Sequence, residues 1–300
     1  MHCPICQHPA ILFDAGTVSA QQFFSAPNTY SIAAGGGKER LPLYVCMHCH
    51  HGFTPLDFNS TFIDQWYSKS KPDTTFFAGQ KARRITARCI LNRIETYAPT
   101  HGTLLDIGSG PGIFVVEAST RNWNAIGLES ASWAIEYGRS KYGITLEQGN
   151  VSNVKYMKHE SFDVVTLFDV IEHIADPSEL VVSIARVLKP KGLLVLTTPR
   201  FDSLLARLMG RYWYCIFPAH LHYFTNRSLR QVLHSAGFTI VRRQTHTRYL
   251  HLGYVLQRLI RFITGTQKNT DAIATHSPII PVNFGDEFEV YAQKTSMLYF

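Results

Sequence analysis

Leu104–Phe114 reads LLDIGSGPGIF: an apolar run closes on a carboxylate and is followed by glycines at alternate positions. Glycines spaced this way remove side chains where a turn must take positive φ or let something lie against the backbone. A triphosphate-cradling loop needs Lys-Ser or Lys-Thr after its last glycine, but Gly112 is followed by Ile113 and Phe114. A dinucleotide loop, G-x-G-x-x-G counted from Gly108, needs its third glycine at 113, where Ile113 stands. What remains is D-x-G-x-G-x-G, with Asp106 at a strand end and Gly108, Gly110 and Gly112 in the turn behind it.

Around this turn, short apolar runs alternate with amphipathic segments, the pattern of a doubly wound α/β sheet. Strands are expected over 103–108, 124–129, 144–149, 162–169 and 192–199, with helices between them. Asp176-Pro177 starts the last of these helices, and Pro190 with Gly192 ends it. Two further strands are expected over 238–245 and 286–294. In the second, Phe288, Val290 and Ala292 alternate with Glu287, Glu289 and Tyr291, as in an antiparallel strand with one wetter face. The fold class is thus a Rossmann-like, seven-stranded sheet with its last strand antiparallel. Residues 1–55 read as a separate small module, 56–100 as a helical linker or lid and 101–300 as the main domain, whose 201–286 region carries substrate or lid segments.

The glycine turn and this strand sequence resemble motif I of the class I S-adenosylmethionine-dependent methyltransferases over about two thirds of the chain. In that family the bare turn lets the backbone lie against a cofactor without phosphates. An acidic residue at the end of the second strand accepts from both ribose hydroxyls; Glu129 holds that place, 23 residues after Asp106. FDVVTLFDVIEHIADP (162–177) and ARVLKPKGLLVLTTP (185–199) look like the fourth-strand and fifth-strand motifs of the ubiquinone-type O-methyltransferase subgroup. The resemblance implies S-adenosylmethionine as cofactor, with Asp106, Gly108, Gly110, Gly112, Glu129, Phe168 and Asp169 facing it. Many relatives hold the adenine amino group with an acid at the end of strand three. This chain offers Asn150 there, whose side-chain oxygen accepts the same bond without charge.

The N-terminus carries a different chemistry. Cys3-Pro-Ile-Cys6 and Cys46-Met-His-Cys49 are two C-x-x-C knuckles, and four thiolates complete a closed tetrahedral shell. A structural Zn²⁺ held by Cys3, Cys6, Cys46 and Cys49 follows, and the pair resembles the zinc ribbon that precedes some sugar and natural-product methyltransferases. Paired knuckles and the lack of a signal peptide read as an intracellular, cytoplasmic chain.

Methyl transfer to a hydroxyl or carbon acid requires alignment of the acceptor and removal of its proton. Histidine suits the second task near neutral pH. The candidates are His220 first, then His222 and His173, all expected near the C-terminal edge of the sheet. Ten Lys and Arg and no acid lie between Ser203 and Thr270 in a chain of net charge +7. This concentration points to an anionic partner: a phosphate-bearing small-molecule acceptor such as a glycan, lipid or secondary-metabolite precursor. Leu-, Trp- and Arg-rich 203–217 and the stripe over 251–263 have the makeup of basic amphipathic helices that lie on anionic membranes. Two other readings compete: an RNA methyltransferase that grips phosphates with the zinc module and arginines, and a non-catalytic cofactor-binding scaffold.

Overall fold

A computed structural model describes residues 1–25, 40–56, 61–69, 79–264 and 277–295. The glycine-rich part of the N-terminal insert (26–39) and Lys268 lie outside them. In chain order the elements are β1 (Ala10–Asp14), α1 (Ala20–Ser25), β2 (Leu43–Cys46), β3 (Gly52–Phe53), α2 (Thr61–Ser68) and α3 (Gln80–Ile94). Then come β4 (Thr103–Ile107), α4 (Ile113–Ser119), β5 (Asn124–Glu129), α5 (Ser132–Tyr142), β6 (Glu147–Gln148), β7 (Phe162–Phe168), α6 (Pro177–Val187) and β8 (Leu188–Pro199). The last third holds α7 (Leu204–Met209), β9 (His222–Tyr223), α8 (Asn226–Ser235), β10 (Phe238–Thr245), β11 (Arg248–His251), α9 (Leu252–Thr264), β12 (Ile279–Val282) and β13 (Glu287–Lys294).

The main sheet has the expected seven strands, in the order β10-β13-β8-β7-β4-β5-β6. β4 pairs in parallel with both β5 and β7, so the strand order reverses at β4 and opens a crevice at its carboxyl end. β13 runs antiparallel to both β8 and β10. One face of the sheet is closed by α6 and α8 through Leu180, Val181, Ile184, Leu229 and Val232. The other is closed by α3 and α4 through Ile90, Leu91, Ile94 and Phe114. Burial of both faces is why β7 and β8 read as near-continuous apolar runs. Asp176 caps α6 by accepting from the Ser178 and Glu179 amides, as the Asp-Pro pair implied.

Three expectations change in detail. The strand expected over 144–149 shrinks to Glu147–Gln148, because Gly143 ends α5 in the left-handed region and Ile144 and Leu146 turn inward against Val115 and Ile135. The helix expected to reach Pro190 stops at Val187, and β8 starts at once. The wetter face expected on β13 is absent: Glu289 and Tyr291 are fully buried. The reason is α3, whose Arg93 binds the Glu289 carboxylate through Nε at 2.6 Å and Nη2 at 3.0 Å. His246 Nδ1 at 2.7 Å, the Tyr291 hydroxyl at 2.6 Å and Gln244 Nε2 at 2.8 Å complete its shell.

The N-terminal module does not stand apart. Its strands form a four-stranded sheet, β1-β2-β3-β9, in which Gly52 and Phe53 pair with Tyr223 and His222 from the main domain.

A buried carboxylate with this many donors is costly to lose on one side only. Glu289→Ala, which strands Arg93, is expected to lower stability to urea by about 3–5 kcal/mol; Glu289→Gln should lose less, since the amide oxygen still accepts from Arg93 and Tyr291.

Candidate active site

The parallel strands β4, β5, β7 and β8 deliver Asp106, Glu129, Phe168 and Thr197 to one edge of the sheet. Between β4 and α4, Gly108, Gly110 and Gly112 all take positive φ, of 69°, 53° and 80°. A methyl group at Gly108 would strike Val170, and at Gly112 Ile144, so these two glycines let neighbours close in. At Gly110 a methyl group would meet nothing within 4 Å: the loop there faces open space.

The Glu129 carboxylate spans that space. One oxygen accepts from the Gly110 amide at 2.7 Å, and the other from the Ser130 and Ala131 amides, each at 2.8 Å. The second set fixes the side chain at the start of α5; the first is a single bond across the mouth of the loop. Asp106 is buried below, accepting from the Thr166 hydroxyl at 2.6 Å. Burial raises its pKa to about 7 against the opposing hydrogen bond from Thr166, and the nearby Glu129 charge adds to the rise. Asn150 sits beyond Glu129 and donates through Nδ2 to Asp64 of α2 at 2.8 Å. Phe168 packs edge-on against Phe114, with centroids 4.7 Å apart.

Asp169 follows at positive φ, 56°, with its carboxylate bound by Arg248 of β11 at 2.8 Å and by the Thr197 hydroxyl at 2.9 Å. Burial alone would raise its pKa, but the Arg248 guanidinium overrides this and holds the carboxyl well below the usual range. Glu287 also binds Arg248, through Oε2 at 2.8 Å.

Next to this cluster the chain gathers the histidines. His220 donates from Nδ1 to the Cys215 carbonyl at 2.8 Å, which leaves Nε2 as the basic nitrogen, 3.9 Å from Glu172 Oε1. His173 lies against it with ring centroids 4.7 Å apart, its Nδ1 between the Ala219 carbonyl and the Tyr67 hydroxyl of α2, both at 2.7 Å. Glu172, His173 and His220 thus bring their polar atoms within 4.8 Å of one another. Burial, and for His220 the neighbouring His173, lowers both histidine pKa values below 6.5, and burial pushes Glu172 well above its ordinary value. Both imidazoles are therefore neutral at pH 7. His222 does not join them. Its Nδ1 meets Nε2 of buried His51 at 3.0 Å and its Nε2 lies 3.4 Å from the Ala175 carbonyl, so it faces the N-terminal module.

In that module the four cysteine sulfurs lie together and largely buried, Cys3–Cys49 at 3.7 Å and Cys6 at 3.4 Å from both Cys46 and Cys49. No pair is near the ~2.05 Å of a disulfide. A tetrahedron of zinc–sulfur bonds of about 2.3 Å has edges of about 3.8 Å, so the four atoms already fit such an ion. Amides of Ile5 and His48 point at the Cys3 and Cys46 sulfurs at 3.4 and 3.3 Å, as donors toward thiolates.

Asp64, Tyr67 and Arg248 escaped the sequence reading. The first two sit on a short helix with no motif, and Arg248 was one of ten basic residues with nothing to single it out. Among the described residues, several arginines of the acid-free stretch are already engaged. Arg248 is ion-paired, Arg227 donates to the His48 carbonyl at 2.8 Å and Arg242 to Gln244 at 2.9 Å.

Residues 79–243, more than half of the chain, match the family model described as "Methyltransferase domain". The chain belongs to this family, and its type is the class I, S-adenosylmethionine-dependent one. The chain is 27% identical over 151 residues to the ubiquinone biosynthesis O-methyltransferase of Neisseria meningitidis serogroup C, spanning 46% of this chain and 59% of that one. It is 30% identical over 152 residues to the biotin biosynthesis bifunctional protein BioHC of Cellvibrio japonicus, spanning 49% and 30%. Among solved structures, a SAM-dependent methyltransferase from Archaeoglobus fulgidus superposes with a TM-score of 0.51 at 19% identity, over 74% of this chain and all of that one, a likeness of fold. The chain therefore spans about three fifths of the length of the ubiquinone-type relative.

The raised pKa of Asp106 has a consequence for stability. Between its ordinary value of about 4 and about 7 the folded chain holds a proton that the unfolded chain has released. Its contribution is thus complete below pH 4 and lost as pH rises through 7. Asp106→Asn, which keeps shape and sheds the charge, is expected to be more stable to urea than the wild type by about 1–3 kcal/mol at pH 8, with the gap shrinking at pH 5.

Proposed function

We propose that the protein transfers the methyl group of S-adenosylmethionine to a hydroxyl of a small-molecule acceptor, with His220 as the base that takes the acceptor's proton. The observation that carries this reading is the buried His220 imidazole, whose Nδ1 is fixed on a backbone carbonyl and whose Nε2 is turned toward Glu172 beside the sheet edge that carries Asp106 and Glu129. The O-methyltransferase names of the ubiquinone-type relatives favour a hydroxyl over a carbon acceptor.

The donor set suits the cofactor. Glu129 offers a carboxylate with one oxygen free to exchange its single bond to the Gly110 amide for ribose hydroxyls. Gly110 leaves room above the loop, Asn150 is the residue we assign to the adenine amino group, and buried Asp106 sets a carboxyl beneath the loop. When bound, the cofactor supplies an electrophilic methyl on a sulfonium. The chain's own residues do the rest. Tyr67 and His173 hold the wall of the acceptor space, Phe217 packs on the His220 ring at 3.9 Å and excludes water, and His220 Nε2 receives the hydroxyl proton. Glu172 lies beside the resulting imidazolium, whose charge in turn favours ionisation of that buried carboxyl. Phe168 and Asp169 border the same space, with Asp169 set by Arg248.

The cysteine cluster we read as a structural zinc site. Its role is to hold the β1-β2-β3-β9 sheet, and with it the segment that leads from His220 into α8.

Titration calorimetry with S-adenosylmethionine should give binding in the micromolar range that Glu129→Ala weakens at least tenfold, about the loss of one charged hydrogen bond; no binding by the folded protein would contradict the proposal. His220→Gln should keep cofactor affinity while lowering kcat/KM for label transfer to hydroxylated acceptors by about 10²–10⁴. Because burial lowers the His220 pKa, the wild-type rate should stay level through pH 6.5 and fall only below it. Metal analysis should return about one zinc per chain, lost together with thermal stability in Cys46→Ser.

A further inference from the structure

We propose that the face built by α7, the Gly210–Tyr212 turn and edge strand β1 seats the protein on an anionic membrane surface. This goes beyond the methyl-transfer reading and does not depend on it.

The face is assembled from two distant parts of the chain. Ser203 caps α7 by accepting from the Ala206 amide, and Ala206 packs inward against Leu43 of β2 and Trp213. The opposite side of the helix is left outward. Leu204 and Leu208, one turn apart, are 74% and 76% exposed, and Tyr212 follows at 62%. β1 pairs with β2 on one side only, and Leu12 lies opposite Tyr44 while Asp14 lies opposite Leu43. This registers β1 beside the α7 packing site, and Phe13 meets Phe201 with ring centroids 6.0 Å apart. Ile11, Leu12 and Phe13 are all exposed, three consecutive apolar residues on a strand of which one face would ordinarily be polar. Six large apolar side chains are thus exposed on the two elements, linked through Phe13 and Phe201, which packs against the cluster that holds Ala206.

Charge selects the occupant. Arg207 and Arg211 stand exposed on the same turn as Leu208 and Tyr212. The neighbouring acids are directed inward: Asp14 pairs with Arg40 at 2.9 Å, Asp202 accepts from Arg200 at 3.0 Å and Asn226 at 2.8 Å, and Asp286 takes the Trp213 indole at 2.9 Å. A leucine and tyrosine patch edged by exposed arginines, Arg211 also donating to the Tyr212 hydroxyl at 3.0 Å, matches the boundary between acyl chains and anionic headgroups. A purely apolar partner would leave Arg207 and Arg211 without counter-charge. Of the described helices none is long and apolar enough to cross a membrane, so the contact is a peripheral one.

The test is co-sedimentation of the full chain with vesicles of phosphatidylcholine, alone or mixed with phosphatidylglycerol, at low and moderate salt. The protein should bind the mixed vesicles at least tenfold more tightly than the neutral ones, and salt should weaken it. Leu204→Ser/Leu208→Ser should reduce binding about tenfold or more, and Arg207→Gln/Arg211→Gln should abolish the preference for phosphatidylglycerol. These positions are exposed, so melting temperature and calorimetric affinity for S-adenosylmethionine should match the wild type in both variants, which separates this result from any failure of the methyl-transfer reading. Absence of binding to the mixed vesicles, or binding that neither variant changes, would overturn the proposal. So would light scattering that shows a wild-type dimer split to monomers by Leu204→Ser/Leu208→Ser, since the face would then be an interface between copies.

Discussion

The architecture turns on one backbone constraint: between Ile107 and Ile113 the chain must reverse from strand to helix with three residues in the left-handed region. Only glycine adopts that conformation freely, and at Gly108 and Gly112 any side chain would also collide with Val170 or Ile144. The turn so formed puts the Gly110 amide within 2.7 Å of Glu129, at the end of the neighbouring strand. It also exposes the loop backbone at the point where the strand order of the sheet reverses. Asp106 is buried by the same geometry, and its raised pKa follows from being walled in between β4 and β7 with one hydroxyl for company.

Most of this was legible in the sequence because it is local. The glycine spacing, the strand-end acids and the apolar runs are properties of short segments, and each strand of the main sheet overlaps the run that suggested it, β8 alone starting earlier, at Leu188. The wetter face expected on β13 was wrong for a reason outside its own sequence. Alternation of Glu with Phe or Val normally marks solvent on one side, but here Arg93 arrives from α3, about two hundred positions away, and buries Glu289 by satisfying it. In the site, Glu129 and Asp106 came from the motif resemblance and its spacing. Asp64, Tyr67 and Arg248 come from elements distant in the chain, and nothing in their own surroundings marks them as neighbours of Asn150, His173 and Asp169.

The N-terminal module illustrates the same limit. Its cysteine knuckles were plain, and the four sulfurs converge as the spacing implied. Its union with the main domain includes the two-residue strands β3 and β9, the His51–His222 contact and the Arg227 and Thr225 bonds to the His48 and Cys49 carbonyls, which no periodicity reveals. His222 and His220 are two residues apart and of the same type, yet His220 sits on the turn before β9 and faces Glu172, while His222 lies in β9 and faces the cysteine module.

The central claim is that the glycine turn and Glu129 together form the cofactor seat, with His220 at its acceptor side. A crystal structure of the full chain with S-adenosylhomocysteine tests it most directly. The account predicts the ribose hydroxyls on the Glu129 carboxylate, the Gly110 amide released from it, and His220 Nε2 facing the emptied methyl position. Ligand bound elsewhere, or a Glu129–Gly110 bond intact beneath it, would contradict the account.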